Sequence, residues 1–212
     1  MVNIRDFAKD KHKTVDDKPY GGGKGMILKV DVLVNALETI KPKPALPASQ
    51  RGEPAGRPYT ILLSPSGKKY DQQKALFFSR KTKLAIICGH YEGTDARIEK
   101  YVDEVISIGD FVLTGGEIAA MAIVDSVARF IPGVIKKESL EFESFSSTTN
   151  YQLPTTLLEY PQYTRPEDFR GLKVPKILLL GNHQQISNWR QKQAFNRTKK
   201  WRPDLIKING KK

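Results

Sequence analysis

Three short apolar runs each deliver the chain into a loop rich in glycine or serine, and this rhythm constrains the fold more than any other feature. The runs are Tyr59-Thr60-Ile61-Leu62-Leu63, Leu84-Ala85-Ile86-Ile87-Cys88 and Val105-Ile106-Ser107-Ile108. They lead into Ser64-Pro65-Ser66-Gly67, Gly89-His90-Tyr91-Glu92-Gly93 and Gly109-Asp110-Phe111-Val112-Leu113-Thr114-Gly115-Gly116-Glu117. Helical patterns lie between them, over 71–79 and in a short segment opened by Thr94 and Asp95. Short apolar strands alternating with helices predict an α/β domain with a mainly parallel sheet. In such sheets ligands settle where strands end, and glycines there let main-chain groups come close to them. Three such loops in succession point to a small-molecule site.

The rest of the chain divides by composition. A short helical pattern (Val32, Leu33, Ala36, Leu37, Ile40) precedes residues 41–58, which hold five prolines and two glycines and read as a flexible surface loop. Residues 117–130 predict a helix with small or apolar side chains nearly all round, buried on more than one side, the second side offered to another subunit. Pro132-Gly133 ends it. From 136 to 156 the pattern dissolves into Ser, Thr, Glu and Asn, as in a long mobile linker. Beyond it come an apolar run, Lys176-Ile177-Leu178-Leu179-Leu180, and a helix over 183–200 rich in Gln, Arg and Lys.

Charge separates the two ends. The formal net charge is +12 over 212 residues. Residues 160–212 carry 13 Lys and Arg against Glu167, Asp168 and Asp204, so nearly all of the excess lies in the last quarter, interleaved with Trp189, Phe195 and Trp201. Cations supply affinity for phosphates and aromatic faces stack on unpaired bases, so a nucleic acid is the natural partner. The single cysteine, Cys88, excludes an internal disulfide and a cysteine zinc cluster, and reads as a small buried hydrophobe. No apolar run approaches the ~20 residues of a membrane span and the first residues lack a secretory core, which together fit a reducing cytoplasm.

Two motif readings fail on spacing. Tyr20-Gly21-Gly22-Gly23-Lys24-Gly25 suggests a phosphate loop, yet no Ser or Thr follows Lys24 and no strand leads into the glycines. His12, His90 and His183 lie too far apart for metal-ligand spacing, so each reads as a hydrogen-bonding residue and no metal is expected.

Five segments carry a resemblance: Asp10-Lys11-His12-Lys13-Thr14-Val15-Asp16-Asp17-Lys18-Pro19-Tyr20-Gly21-Gly22-Gly23, Cys88-Gly89-His90-Tyr91-Glu92-Gly93, Ser107 to Glu117, Tyr163-Thr164-Arg165-Pro166 and Gly181-Asn182-His183. In this order, over nearly the whole chain, they resemble the signature segments of the bacterial tRNA (guanine-N1)-methyltransferase family, TrmD. The resemblance implies a SPOUT-type α/β fold, a trefoil-knotted, mainly parallel sheet flanked by helices, with a small helical C-terminal domain. It divides the chain into a knotted cofactor-binding domain over 1–135, an interdomain linker over 136–159 and a basic tRNA-binding domain over 160–212. It also implies a homodimer, S-adenosylmethionine as cofactor, and a tRNA whose guanosine immediately 3′ of the anticodon is the substrate.

Residue roles follow by motif. Methylating guanine N1 calls for a base to take its proton, a cation near O6 and a positioned donor. The base position falls on Glu143, in Phe142-Glu143-Ser144-Phe145, where the family has aspartate, and the cation falls on Arg129. Cofactor contacts fall on Leu62, Leu63, Ser64 and Pro65; on Gly89, Tyr91 and Glu92; and on Ser107, Ile108, Gly109, Phe111, Leu113, Gly115 and Gly116, with Glu92 favouring the sulfonium charge. The tRNA-binding residues are Arg165, Arg190, Lys192, Arg197, Lys199, Lys200 and Arg202. The chain departs from the family pattern at His90, where arginine is common, and at its start, where an apolar strand and a Phe-Pro-Glu segment are expected. Two other activities stay open: an RNA-binding protein with impaired catalysis, and a ribose 2′-O-methyltransferase of the same superfamily.

Overall fold

The computed structural model describes residues 1–40, 57–141, 143–146 and 156–207. All but the last two residues of the proline-rich loop expected at 41–58 lie outside that set. The chain divides into two compact units, Met1–Val134 and Ile135–Lys212.

The first unit is built on a three-stranded parallel sheet in the order β4-β3-β5: β3 (Tyr59–Lys69), β4 (Leu84–Ile87) and β5 (Glu104–Ser107). Side chains alternate across a strand, so the apolar run of the central strand feeds two cores. Ile61 and Leu63 pack on one face with Ala75 and Phe78 of α2 (Gln72–Ser79) and with Ala119, Ile123 and Val127 of α3 (Glu117–Ala128). Leu62 packs on the other face with Val32, Leu33 and Leu37 of α1 (Val30–Ile40) and with Ile98. Burial on both faces is why these strands read as continuous apolar runs. A two-stranded antiparallel ribbon, β1 (Asp16–Asp17) with β2 (Ile27–Leu28), precedes α1.

Two features differ from the sequence reading, and a third bears on it. β3 continues past Leu63 to Lys69, because Ser64-Pro65-Ser66-Gly67 loops out as a bulge: Leu63 and Lys68 both stand opposite Ile106. Gly67 makes that return possible, since a Cβ there would lie 2.5 Å from the Ile106 amide nitrogen. The segment opened by Thr94 and Asp95 is a 3-10 helix, Ala96–Tyr101, whose N-cap Asp95 accepts from the Arg97 amide. Finally, α3 buries one stripe within the chain, Ala119, Ile123 and Val127, while Ile118, Met121 and Val124 are each more than half exposed.

In the second unit, α4 (Lys137–Glu141) and a turn at 143–146 occupy part of the stretch expected to be a linker. The Phe145 amide donates to Leu157 O at 3.0 Å and the Glu159 amide to Ser144 Oγ at 3.0 Å, which pins the turn to the chain ahead. A hairpin follows, β6 (Asp168–Phe169) with β7 (Leu172–Lys173), then α5 (His183–Trp201), capped by Asn182, and α6 (Asp204–Lys207). Among the described residues of this unit, Leu157, Ala194 and Thr198 are buried. The Thr198 hydroxyl donates to Ala194 O and accepts from the Leu158 amide, so this buried polar group is satisfied.

Candidate functional site

The middle of β3 and the carboxyl ends of β4 and β5 open into a cleft of about 360 Å³. Its walls are the bulge of β3 and the loops after β4 and β5. Every residue expected to contact the cofactor lines it: Leu62 to Pro65, Gly89, Tyr91, Glu92, Ser107 to Gly109, Phe111, Leu113, Gly115 and Gly116. Ser66, His90, Gly93, Thr94, Ala96, Glu99, Val112, Thr114 and Ala119 line it as well. Most of these fill gaps within the same loops, whereas Ala96, Glu99 and Ala119 come from adjoining helices and had no local sequence signal.

Main-chain geometry holds the loops together. The Gly116 amide donates to Gly89 O at 2.9 Å, and a Cβ on Gly116 would lie 2.7 Å from Cys88 Cα. Here two loops approach as closely as only glycine allows. The Ser107 hydroxyl donates to Gly109 O and accepts from the Gly109 amide, closing the third loop on itself. His90 Nε2 and Glu117 Oε1 meet at 2.6 Å across the loops after β4 and β5. That hydrogen bond holds the Glu117 carboxyl below the usual carboxylate range, while burial first, and the Glu117 charge second, push the Cys88 thiol up. Cys88, expected to be buried, is half-buried and packs against the core beside the sheet as a small hydrophobe.

The glycine-rich segment rejected as a phosphate loop has a different use. Gly21, Gly22, Gly23 and Gly25 all have positive φ, and a Cβ on Gly25 would lie 2.3 Å from both Cγ and Oε1 of Glu92. The Glu92 amide donates to Met26 O, so the segment runs alongside the cleft's carboxylate. The run of glycines was visible in the sequence; its neighbour was not.

The remaining candidates fall in both units. Arg129 is the C-cap of α3, its amide donating to Asp125 O. Glu143 is half-buried in the 143–146 turn of the second unit, its carbonyl accepting from the Ser146 amide. Arg165 is exposed. On α5, Arg190 and Arg197 lie seven residues apart on one stripe, and Lys192 and Lys199 form another about half a turn away. The Arg190 guanidinium sits 4.8 Å over the Tyr160 ring and Lys200 Nζ 4.7 Å over Trp201. Arg202 is engaged twice, 2.7 Å from Asp204 and over the Phe145 ring. Among the described residues there is no group of three or more His, Cys, Asp or Glu able to hold a metal, and no helix is long and apolar enough to cross a membrane.

A cleft of mostly backbone and apolar walls at the ends of parallel strands defines an α/β protein that takes a small organic ligand. A family model for tRNA (Guanine-1)-methyltransferase TrmD matches residues 1–208. The tRNA (guanine-N(1)-)-methyltransferase of Carboxydothermus hydrogenoformans is 51% identical over 211 residues, 99% of this chain and 75% of that protein. Those of Caldicellulosiruptor saccharolyticus and Geobacillus kaustophilus are 50% and 51% identical, covering 97% of this chain and 76% and 78% of their own lengths. The chain belongs to the TrmD family of tRNA (guanine-1)-methyltransferases.

Proposed function

We propose that this protein methylates N1 of the guanosine immediately 3′ of the anticodon in tRNA, with S-adenosylmethionine as the methyl donor. The carrying observation is the convergence of all the expected donor contacts on one cleft, in a chain that belongs to this family. The cleft suits such a donor. Its volume falls within the roughly 300–1,000 Å³ of small-molecule sites, and Leu62, Ile108, Phe111 and Leu113 give apolar surface for a purine. With no side chains at Gly89, Gly109, Gly115 and Gly116, a ligand can lie directly against the main chain of these loops, and Glu92 supplies a carboxylate for a cationic centre. When bound, the donor supplies an electrophilic methyl group.

The protein's own task is to make guanine N1 a nucleophile. Glu143 accepts the N1 proton, and the negative charge that then develops at O6 is met by the Arg129 guanidinium. Glutamate in place of the family's aspartate keeps the carboxylate and lengthens its reach by one methylene. Arg165, Arg190, Lys192, Arg197, Lys199, Lys200 and Arg202 hold the tRNA backbone, with 160–212 as the tRNA-binding domain, 136–159 as the linker and 1–135 as the donor domain. This reading includes the family's trefoil knot, a cytoplasmic location and a homodimer. The uncovered apolar stripe of Ile118, Met121 and Val124 on α3 supports a second copy seated there.

Purified protein, unmodified tRNA and methyl-labelled S-adenosylmethionine test the proposal. Label at guanine N1 beside the anticodon is the expected result. Label on a ribose would convert the assignment to 2′-O methylation, and tight tRNA binding without label would leave only an RNA-binding module.

A further inference from the structure

The His90–Glu117 pair poses a question that the proposed roles leave unanswered. The two side chains are 48% and 56% exposed, so their contact adds little to the stability of the fold. The backbone beneath it is paired and carries no side chain at Gly115. Gly115 forms a bridge with His90, and a Cβ on Gly115 would lie 2.5 Å from Glu117 Oε2 and 2.8 Å from His90 Cε1. Gly115 does not have a left-handed backbone, and the atoms its Cβ would meet are the ends of these two side chains.

The pair also occupies a particular place. His90 follows β4 by three residues and Glu117 opens α3, so their contact ties the second cleft loop to the end of the third. The main chain ties the same two loops beside it, through the Gly116 amide on Gly89 O. One side of the latch is next to Tyr91 and Glu92, and the other is next to Gly115 and Gly116, all of which line the cleft.

We infer that His90 and Glu117 form a latch that sets the separation of the two loops and so positions the cleft for its donor. Neither is assigned a contact with the reacting atoms; both are positioning residues, acting through Tyr91, Glu92 and Gly115. The inference rests on the assignment of the cleft to S-adenosylmethionine. A loop pair held open or closed by a solvent-exposed contact controls how much ordering the ligand must impose on binding, and hence its affinity.

A double-mutant cycle tests this with S-adenosylhomocysteine, the demethylated product, as a non-reacting probe in calorimetric titration of the full chain. His90→Ala and Glu117→Ala are each expected to weaken the probe about two- to fivefold, the most that an exposed pair can contribute. The double variant should be no weaker than the worse single one, because either change alone opens the latch. His90→Arg, which keeps a side-chain donor able to reach the carboxylate, should retain most of the affinity. Thermal melting and tRNA affinity should stay near the unsubstituted values in all variants, which a purely structural role for the pair would not allow alongside a loss of probe binding. Single variants that bind the probe as tightly as the unsubstituted protein, or losses that add in the double variant, would overturn the latch while leaving the cleft's assignment intact. An unsubstituted protein that does not bind the probe overturns both.

Discussion

The two units present their candidate functional groups in opposite ways. In the first, the cleft is made of main chain: loops brought within glycine distance of one another, as at Gly116 against Cys88 and Gly67 against Ile106. In the second, apart from Glu143 and Arg165, the candidates are long cationic side chains on or just past an exposed helix, three of them resting on aromatic rings. A main-chain site is specific because its hydrogen-bonding groups are fixed before the ligand arrives, and it tolerates almost no added volume. A side-chain surface is adaptable and loses function one charge at a time. Substitutions should therefore act abruptly in the first unit and gradually in the second.

The largest effect expected breaks that pattern on purpose. Glu143 belongs to the adaptable unit but is assigned a chemical step, so Glu143→Ala should lower turnover by about 10²–10⁴, the range for loss of a general base. Affinity for S-adenosylhomocysteine should be unchanged, since the carboxylate acts on the guanine. Single-turnover kinetics and calorimetry separate the two, and equal loss of both removes Glu143 from the role of base.

Next in size is Gly116→Ala. Its Cβ would meet Cys88 Cα at 2.7 Å and the Gly89 amide nitrogen at 3.1 Å, so the two loops must part. Overpacking of this kind costs about 1–3 kcal/mol, which predicts roughly a ten- to hundredfold weaker probe titration. Gly171→Ala in the β6–β7 turn is the control. That residue has φ of +84° and open space around it, so only backbone strain is introduced and neither ligand should bind differently.

How far each unit could be read from sequence follows the same division. Strands β3 to β5 and their loops were legible because a strand buried on both faces must be apolar and a close backbone approach must use glycine. The bulge in β3 was not legible, since Ser64-Pro65-Ser66-Gly67 has the composition of an ordinary turn and only Ile106, about forty residues on, gives it a partner on each side. The Glu92–Gly25 and His90–Glu117 contacts were hidden for the same reason: they join segments distant in sequence. In the second unit the charge bias and, given the helix expected over 183–200, the separate stripes of Arg190 and Lys192 were legible, but nothing in the sequence revealed that Arg202 is occupied by Asp204.

That occupation ranks the cations at the end of α5. Neutralising Lys199, Lys200 and Arg202 together should weaken tRNA binding and lower the slope of log affinity against log salt by roughly 2, at about 0.7–0.9 for each phosphate that is no longer neutralised. Lys199→Gln and Lys200→Gln should each contribute more than Arg202→Gln, because Arg202 must first leave Asp204. Filter binding at several salt concentrations reads this directly. An unchanged slope in the triple variant would show that the end of α5 is not the tRNA surface.

The smallest effect concerns helix caps, where the units differ in whether the cap titrates. In the first unit the 3-10 helix Ala96–Tyr101 is capped by Asp95, whose carboxylate accepts from the Arg97 amide at 2.9 Å and pairs with the Arg97 guanidinium. The Arg97 hydrogen bond holds its carboxyl below the ordinary carboxylate range. A lowered folded-state pKa means that the cap's contribution is fully present above the unfolded value, about 3.9, and is lost as pH falls through the folded value. In the second unit α5 is capped by the uncharged Asn182, which accepts from the Gln185 amide at any pH. Acidification from neutral through the ordinary carboxylate range and below it should therefore expose the Arg97 amide to hydrogen exchange before the Gln185 amide. Asp95→Asn, which keeps a capping oxygen, should abolish the difference at a cost of about 1 kcal/mol or less, since the pair is largely solvent-screened.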